Sequence, residues 1–230
     1  DPSGNTAVCT AVVTVQDNIA PIAVCQDFTV ALDATGNATI VAGDIDNGSS
    51  DNDSVASLSL DTSSFTCADL GTNTVTLTVT DPSGNSSTCT ATVTVEDNIN
   101  PTAVGQGITV QLDATGNATI TTADIDNGSS DNCGAPTLGL DVASFGCADV
   151  GPNTGTLTVT DGSGNSDSTT ATVTVEDNID PTAVCQDITI QLDASGNASI
   201  VAGDIDICSS DNCSVSLSAD VTSFTAADLG

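Results

Sequence analysis

The chain has 230 residues, 31 of them Asp or Glu and none Lys, Arg or His, for a net charge of −31 at pH 7. Without a basic side chain it cannot displace the counterions of a nucleic-acid backbone, anionic lipid repels it, and its apolar runs are far too short to span a bilayer. There is no His, Lys or Tyr to move protons or form a Schiff base, and the aromatic platforms that sugar hydrolysis by paired carboxylates would favour are reduced to four Phe, so no catalytic residue is assigned.

In chain order, residues 1–18 read as the last turn and strand of a repeat that begins upstream. Strands are predicted over 22–32 and 37–41, separated by the turn Asp33-Ala-Thr-Gly-Asn37, and shorter strands over 55–60 and 63–66. From Thr74 to Thr80 the chain alternates strictly, with Val75, Leu77 and Val79 on one face and Thr on the other. Cys89, Ala91, Val93 and Val95 continue that period beyond the turn residues Asp81-Pro-Ser-Gly-Asn85, so 73–95 reads as a long β-hairpin. No segment carries a helical period.

The same text then returns. DPSGN at Asp1 and Asp81 becomes DGSGN at Asp161; LDATGNA at Leu32 and Leu112 becomes LDASGNA at Leu192; DNIAP, DNINP and DNIDP open at Asp17, Asp97 and Asp177. Every one of these offsets is 80, and the period is expected to run without insertion or deletion. A strict period of this kind marks one small domain in tandem. The expected divisions are 1–18, complete repeats 19–98 and 99–178, and an incomplete repeat 179–230 that lacks its last hairpin. Six or seven short strands per repeat argue for an all-β fold, an antiparallel β-sandwich of immunoglobulin type.

The run Phe65, Gly71, Val75, Asp81-Pro-Ser-Gly-Asn85, Cys89, Val93-Thr-Val95, Asp97 and Pro101 resembles the hyalin-type (HYR) repeat. That resemblance covers the chain once per repeat. It implies immunoglobulin-like modules in tandem in an extracellular protein, as in the large surface adhesins of gliding Bacteroidota, with no catalytic residues to carry over.

Nine cysteines point to disulfides and an oxidising compartment. Gly105 and Thr169 together replace the counterparts of Cys25 and Cys89, so Cys25–Cys89 is expected as a pair. Cys133–Cys147 is expected within the second repeat and a local Cys208–Cys213 bridge in the last, where Ala227 stands for the expected cysteine. Cys67 should be free. A cysteine metal site is the alternative, but there is neither C-x-x-C nor His.

Two readings compete for the aspartates. As ordinary turn residues they cap their own backbone, which is preferred for Asp33, Asp61 and Asp69. As cation ligands they would converge at one pole of each sandwich. Two carboxylates about 4 Å apart repel by roughly 4 kcal/mol at an effective dielectric of 20, and an all-oxygen donor set selects Ca²⁺. The expected ligands are the linker aspartates Asp17, Asp97 and Asp177, the GDID-type loops with Asp44, Asp46, Asp124, Asp126, Asp204 and Asp206, the following Asp51, Asp131 and Asp211, and the hairpin residues Asp81 and Asp161. The loop is no EF-hand, because Gly48 falls at the fifth position from Asp44 and Val55 where a bidentate Glu would stand.

The function expected from these features is structural: a repeat segment of an extracellular filament or surface protein, rigidified by Ca²⁺ at repeat junctions and by disulfides. Its partners would be neighbouring repeats, with any cell-surface or glycan contact lying outside this segment. An adhesin whose repeats bind glycan or protein directly is the alternative. The outward Thr rows also suit ice binding, though Thr is more often simply a strand former on a wet face. Trypsin, which cuts after Lys and Arg, should leave even the denatured chain at its full mass; fragments in a mass spectrum would contradict the composition.

Overall fold

A computed structural model describes all 230 residues. The chain forms two compact units, Asp1–Ile99 with Asn132–Gly134, and Asn100–Asp131 with Ala135–Gly230. Each contains an all-β sandwich of about 80 residues.

The first unit contains β1 (Phe28–Ala31), β2 (Asn37–Thr39), the single-turn helix α1 (Ala42–Ile45), β3 (Ser57–Leu60), β4 (Ser64–Thr66), β5 (Gly71–Thr80) and β6 (Ser86–Glu96). Four strands make a sheet in the order β1-β6-β5-β3, and β2 pairs with β4 in a second. The long hairpin is continuous from Gly71↔Val95 to Thr80↔Ser86. Its turn closes because Asp81 N–H donates to the Asn85 carbonyl at 3.0 Å and Asn85 N–H donates to Asp81 Oδ1 at 2.8 Å, with Gly84 supplying the positive φ of 92°.

Period two decides the core. Val75, Leu77, Val79 and Val93 are completely buried and pack with Leu32, Ile40, Ile45 and Phe65. The other face of the hairpin is a ladder of Thr72↔Thr94, Thr74↔Thr92, Thr76↔Thr90 and Thr78↔Thr88, cross-strand pairs that each contribute about 0.2–1 kcal/mol.

The second unit repeats the plan with β7 (Ile108–Gln111), β8 (Asn117–Thr119), α2 (Thr122–Ile125), β9 (Thr137–Leu140), β10 (Ser144–Gly146), β11 (Gly151–Thr160) and β12 (Ser166–Glu176). Its sheets are β7-β12-β11-β9 and β8-β10. It continues into β13 (Asn197–Ser199), α3 (Ala202–Ile205) and β14 (Ser223–Thr225), where β13 pairs with β14.

Several sequence expectations are corrected. The first strand is not one antiparallel segment over 22–32. Ile22 and Cys25 make single bridges to Ser50 and Asp46, and β1 then runs parallel to β6. Between the bridges and β1, Asp27 Oδ1 accepts the Thr92 N–H at 2.8 Å. The helical turns escape a periodicity search because each is only four residues long. Residues 1–18 hold the Asp1–Asn5 turn but no strand, since a strand exists only as part of a ladder. The 80-residue offset also fails late in the chain: β14 starts at Ser223, 79 residues after Ser144 of β10. One residue is deleted after Cys213, so the counterpart of Cys147 is Ala226, not Ala227.

Leu77→Ala should cost about 2–5 kcal/mol, because its buried site cannot collapse without moving both sheets. Thr92→Ala, on the exposed face, should stay within about 0.5 kcal/mol. Urea unfolding curves that ranked the two in the opposite order would refute the assignment of inner and outer faces.

Candidate functional site: repeat boundaries, carboxylates and disulfides

With no cationic side chain available, the carboxylates take their hydrogen bonds from backbone amides and from Asn, Ser, Thr and Gln. Asp33 Oδ1 accepts the Thr35 N–H at 2.8 Å, the Thr35 hydroxyl at 2.7 Å and the Asn37 N–H at 3.1 Å. The Thr35 hydroxyl is the chief reason its pKa lies below the ordinary carboxylate value, and Asp113 repeats the arrangement with Thr115. Asp61 and Asp141 accept the N–H of Thr76 and Thr156 at 2.8 and 2.7 Å, which lowers both. Asp69 caps Thr66 N–H at 2.8 Å.

The GDID-type aspartates accept local backbone amides. Asp44, Asp124 and Asp204 each accept the N–H three residues back, at 2.7–2.8 Å, which is the reason a helical turn forms there. Asp46, Asp126 and Asp206 accept the N–H of Ser49, Ser129 and Ser209 at 3.0–3.1 Å, closing the next turn. The Ser49 and Ser129 hydroxyls are the main influence holding Asp46 and Asp126 below the usual range.

Asp81 and Asp161 are buried at the hairpin turns. Burial is the largest single influence and works to raise their pKa, but the bonds from Asn85 and Asn165 with those from the turn amides outweigh it and leave both lowered. Asn85 reaches further: its Nδ2 donates to Asp81 Oδ2 at 2.7 Å and to the Asp17 carbonyl at 3.1 Å, tying the linker to the turn.

In the first unit, carboxylate oxygens of Asp17, Asp51 and Asp53 lie within 4.8 Å of one another. Asp53, which sequence reasoning did not include, accepts the Ser54 N–H; that bond lowers its pKa, yet Asp51 and Asp17 beside it bring it above the ordinary value. Its signal was visible as an acid where the other copies have Cys133 and Cys213. Asp97 is buried in the same unit and accepts the Asn132 amide at 3.2 Å and the Ile99 N–H at 3.1 Å. Asp131 is half-buried in the second unit.

In the second unit the linker residue Asp177 accepts the Asn212 Nδ2 at 3.1 Å, and the same Nδ2 lies 3.3 Å from the Asp113 carbonyl. Asp211 Oδ2 caps Cys213 and Ser214 N–H, both at 3.3 Å. Asp211 Oδ1 and Asn212 Oδ1 are buried without a hydrogen-bond donor, a costly state for polar atoms. Asn212 is a second residue that the sequence reading overlooked.

Two of the three disulfides join cysteines of successive expected repeats. Cys25 bonds Cys89, the pair expected within the first repeat. Cys67, expected free, bonds Cys133, and Cys147 bonds Cys213. The Cys133–Cys147 and Cys208–Cys213 bridges do not form, and Cys208 is exposed and free like Cys9 and Cys185. Each boundary bond spans 66 residues, a loop whose closure removes about 4 kcal/mol of unfolded-state entropy in the chain-entropy account. Each is seated on the LDATGNA turn. A Cβ on Gly36 would come within 2.6 Å of Cys67 Sγ and 3.0 Å of the Asn132 carbonyl; on Gly116 it would meet Cys147 Sγ at 2.6 Å and the Asn212 carbonyl at 2.8 Å. Both glycines also hold φ near +75°.

No family model matches the chain, and no curated protein matches it. Among solved structures, it is similar to a protocadherin gamma B7 fragment of extracellular cadherin domains 1–4, at 12% identity and TM-score 0.35 over 85% of this chain and 60% of that one. It is also similar to human protocadherin-24 EC1-2, at 12% identity and TM-score 0.37 over 70% of this chain and 100% of that one. Titin domains z1z2 in complex with telethonin align at 16% identity and TM-score 0.28 over 72% of this chain and 100% of that one. No helix is long and apolar enough to cross a membrane.

Gly116→Ala should hinder closure of Cys147–Cys213 and cost about 1–2 kcal/mol for the left-handed backbone alone. Gly196→Ala has φ +77° but only Ala226 Cβ nearby, at 3.9 Å, so it should show the backbone cost without free thiol. Alkylation and mass measurement that found equal thiol release in both variants would refute the seating of the bond on the turn.

Proposed function

We propose that the chain is a structural segment of an extracellular filament or surface protein, divided into repeats at 1–18, 19–98, 99–178 and 179–230. Ca²⁺ at the repeat boundaries and disulfides within and across them hold successive repeats together. The observation that carries this reading is the boundary inside the second unit. There Asp177 and Asn212 meet, and Asp211 Oδ1 and Asn212 Oδ1 are buried with no donor. Such oxygens call for a donor or a cation, and the chain has no Lys, Arg or His to provide a charged one.

The donor set fits a hard divalent cation. The atoms a cation could take from Asp177, Asp211 and Asn212 Oδ1 are all oxygens, as are those of Asp17, Asp51 and Asp53 at the first boundary, and Ca²⁺ accepts irregular, carboxylate-rich oxygen sets more readily than Mg²⁺. The GDID-type aspartates keep their capping roles in this reading, and Asp81 and Asp161 fix the hairpin turns. Three disulfides fit an oxidising, extracellular setting.

A ligand that binds only the folded form stabilises it by about 2.7 kcal/mol at a hundredfold excess over Kd. Millimolar Ca²⁺ should therefore raise the melting temperature relative to EDTA, and Asp177→Asn with Asp211→Asn should remove part of that rise. Superimposable melts in EDTA and Ca²⁺ would end the cation reading.

A further inference from the structure

From the pattern of disulfides we infer that this segment is an extension-limited tether, in which bonds across repeat boundaries cover the one complete repeat that lacks an internal bridge. The inference does not rest on Ca²⁺. In the second repeat, Gly105 and Thr169 occupy the positions of Cys25 and Cys89, and a Cβ on Gly105 would lie 3.0 Å from Thr169 Cγ2. A small residue packed on a methyl has replaced the bridge. Were all bonds internal to repeats in this way, pulling the ends would release nearly the whole of that repeat.

The boundary bonds prevent this. Cys133 is tied back to Cys67 and Cys147 forward to Cys213, so only the 14 steps from Cys133 to Cys147 remain in the load path of the second repeat. Upstream, tension entering at Cys25 passes through its bond to Cys89, returns along the 22 steps to Cys67, and crosses to Cys133. Of the 188 residue steps from Cys25 to Cys213, 36 therefore bear load when the chain is fully unfolded. At about 3.3–3.6 Å per residue, that is roughly 120–130 Å of extensible chain in place of roughly 620–680 Å.

The overlap of the Cys25–Cys89 and Cys67–Cys133 loops makes the bonds unequal, and this gives the map a readable signature. Loss of Cys147–Cys213 frees 66 further residues. Loss of Cys67–Cys133 frees only 22, because the path from Cys89 to Cys133 then runs directly over 44. Loss of Cys25–Cys89 frees 20, because the path then runs over the 42 from Cys25 to Cys67.

The experiment is single-molecule force–extension on the full chain, held by terminal handles, in EDTA so that cation binding plays no part. Adding a phosphine reductant should lengthen the unfolded contour by 152 residues, the difference between 188 and 36, about 500–550 Å. The paired variants Cys147→Ser/Cys213→Ser, Cys67→Ser/Cys133→Ser and Cys25→Ser/Cys89→Ser should add 66, 22 and 20 residues without reductant. Full contour length depends on connectivity and not on the fold, so a destabilised variant still reports. An oxidised path of 110 residues, which a Cys133–Cys147 bond would produce, or a contour indifferent to reductant would overturn the inference.

Discussion

A chain with 31 carboxylates and no basic side chain must satisfy every acid with neutral donors or with something from solution, and the local architecture follows from that constraint. Backbone amides are the commonest neutral donor, and they are free only at turns and helix starts. Asp therefore sits where the chain reverses: at the start of α1, α2 and α3, in the LDATGNA turns and at the head of each long hairpin. Each such carboxylate fixes a backbone conformation and dissipates its charge in the same contact. The lowered pKa values of Asp33, Asp61, Asp113 and Asp141 express this, for their bonds favour the charged form. Their contribution is present above the ordinary carboxylate pKa and is lost as pH falls through the lowered one.

The same constraint separates two populations of acid. Those with several amides to accept are complete in themselves. Those at the boundaries are not: Asp51 and Asp53 face Asp17, and Asp211 Oδ1 is buried without a donor. The boundary carboxylates do accept local amides, Asp53 from Ser54 and Asp211 Oδ2 from Cys213 and Ser214, but those bonds leave the oxygens of Asp17, Asp51 and Asp53 beside one another. The sequence pattern alone could not make that distinction, because GDID looks at least as acidic as DND. The single helical turn gives Asp44 Oδ2 the Val41 N–H, and the turn after it gives Asp46 Oδ1 the Ser49 N–H.

What was legible in the sequence was whatever repeats over a short range. The hairpin of β5 and β6 was readable from Val75, Leu77 and Val79 because alternation specifies both strand and inner face. The parallel placement of β1 was not, since nothing local to Phe28–Ala31 names β6 as its partner. The cysteines failed for a related reason. Comparing copies identified Cys25–Cys89, whose members vanish together, but it assumed that partners belong to one repeat. Cys67–Cys133 and Cys147–Cys213 share a separation of 66, and that recurrence was the available signal for a bond between successive repeats. The deletion after Cys213 masked it further by displacing the missing partner to Ala226.

Position 53 and its counterparts Cys133 and Cys213 place two different chemistries at equivalent sites. Where the residue is Cys and the preceding repeat carries Cys at the CADL or CADV turn, a disulfide seats beside Gly36 or Gly116. Where it is Asp53, no thiol is present and a third carboxylate joins Asp17 and Asp51. The covalent form is indifferent to salt and pH but yields to reductant. The carboxylate form has the opposite sensitivities, because its repulsion is relieved only by protonation or by a cation. The exchange at this position, Asp53 for Cys133 or Cys213, therefore decides whether a disulfide can form there at all.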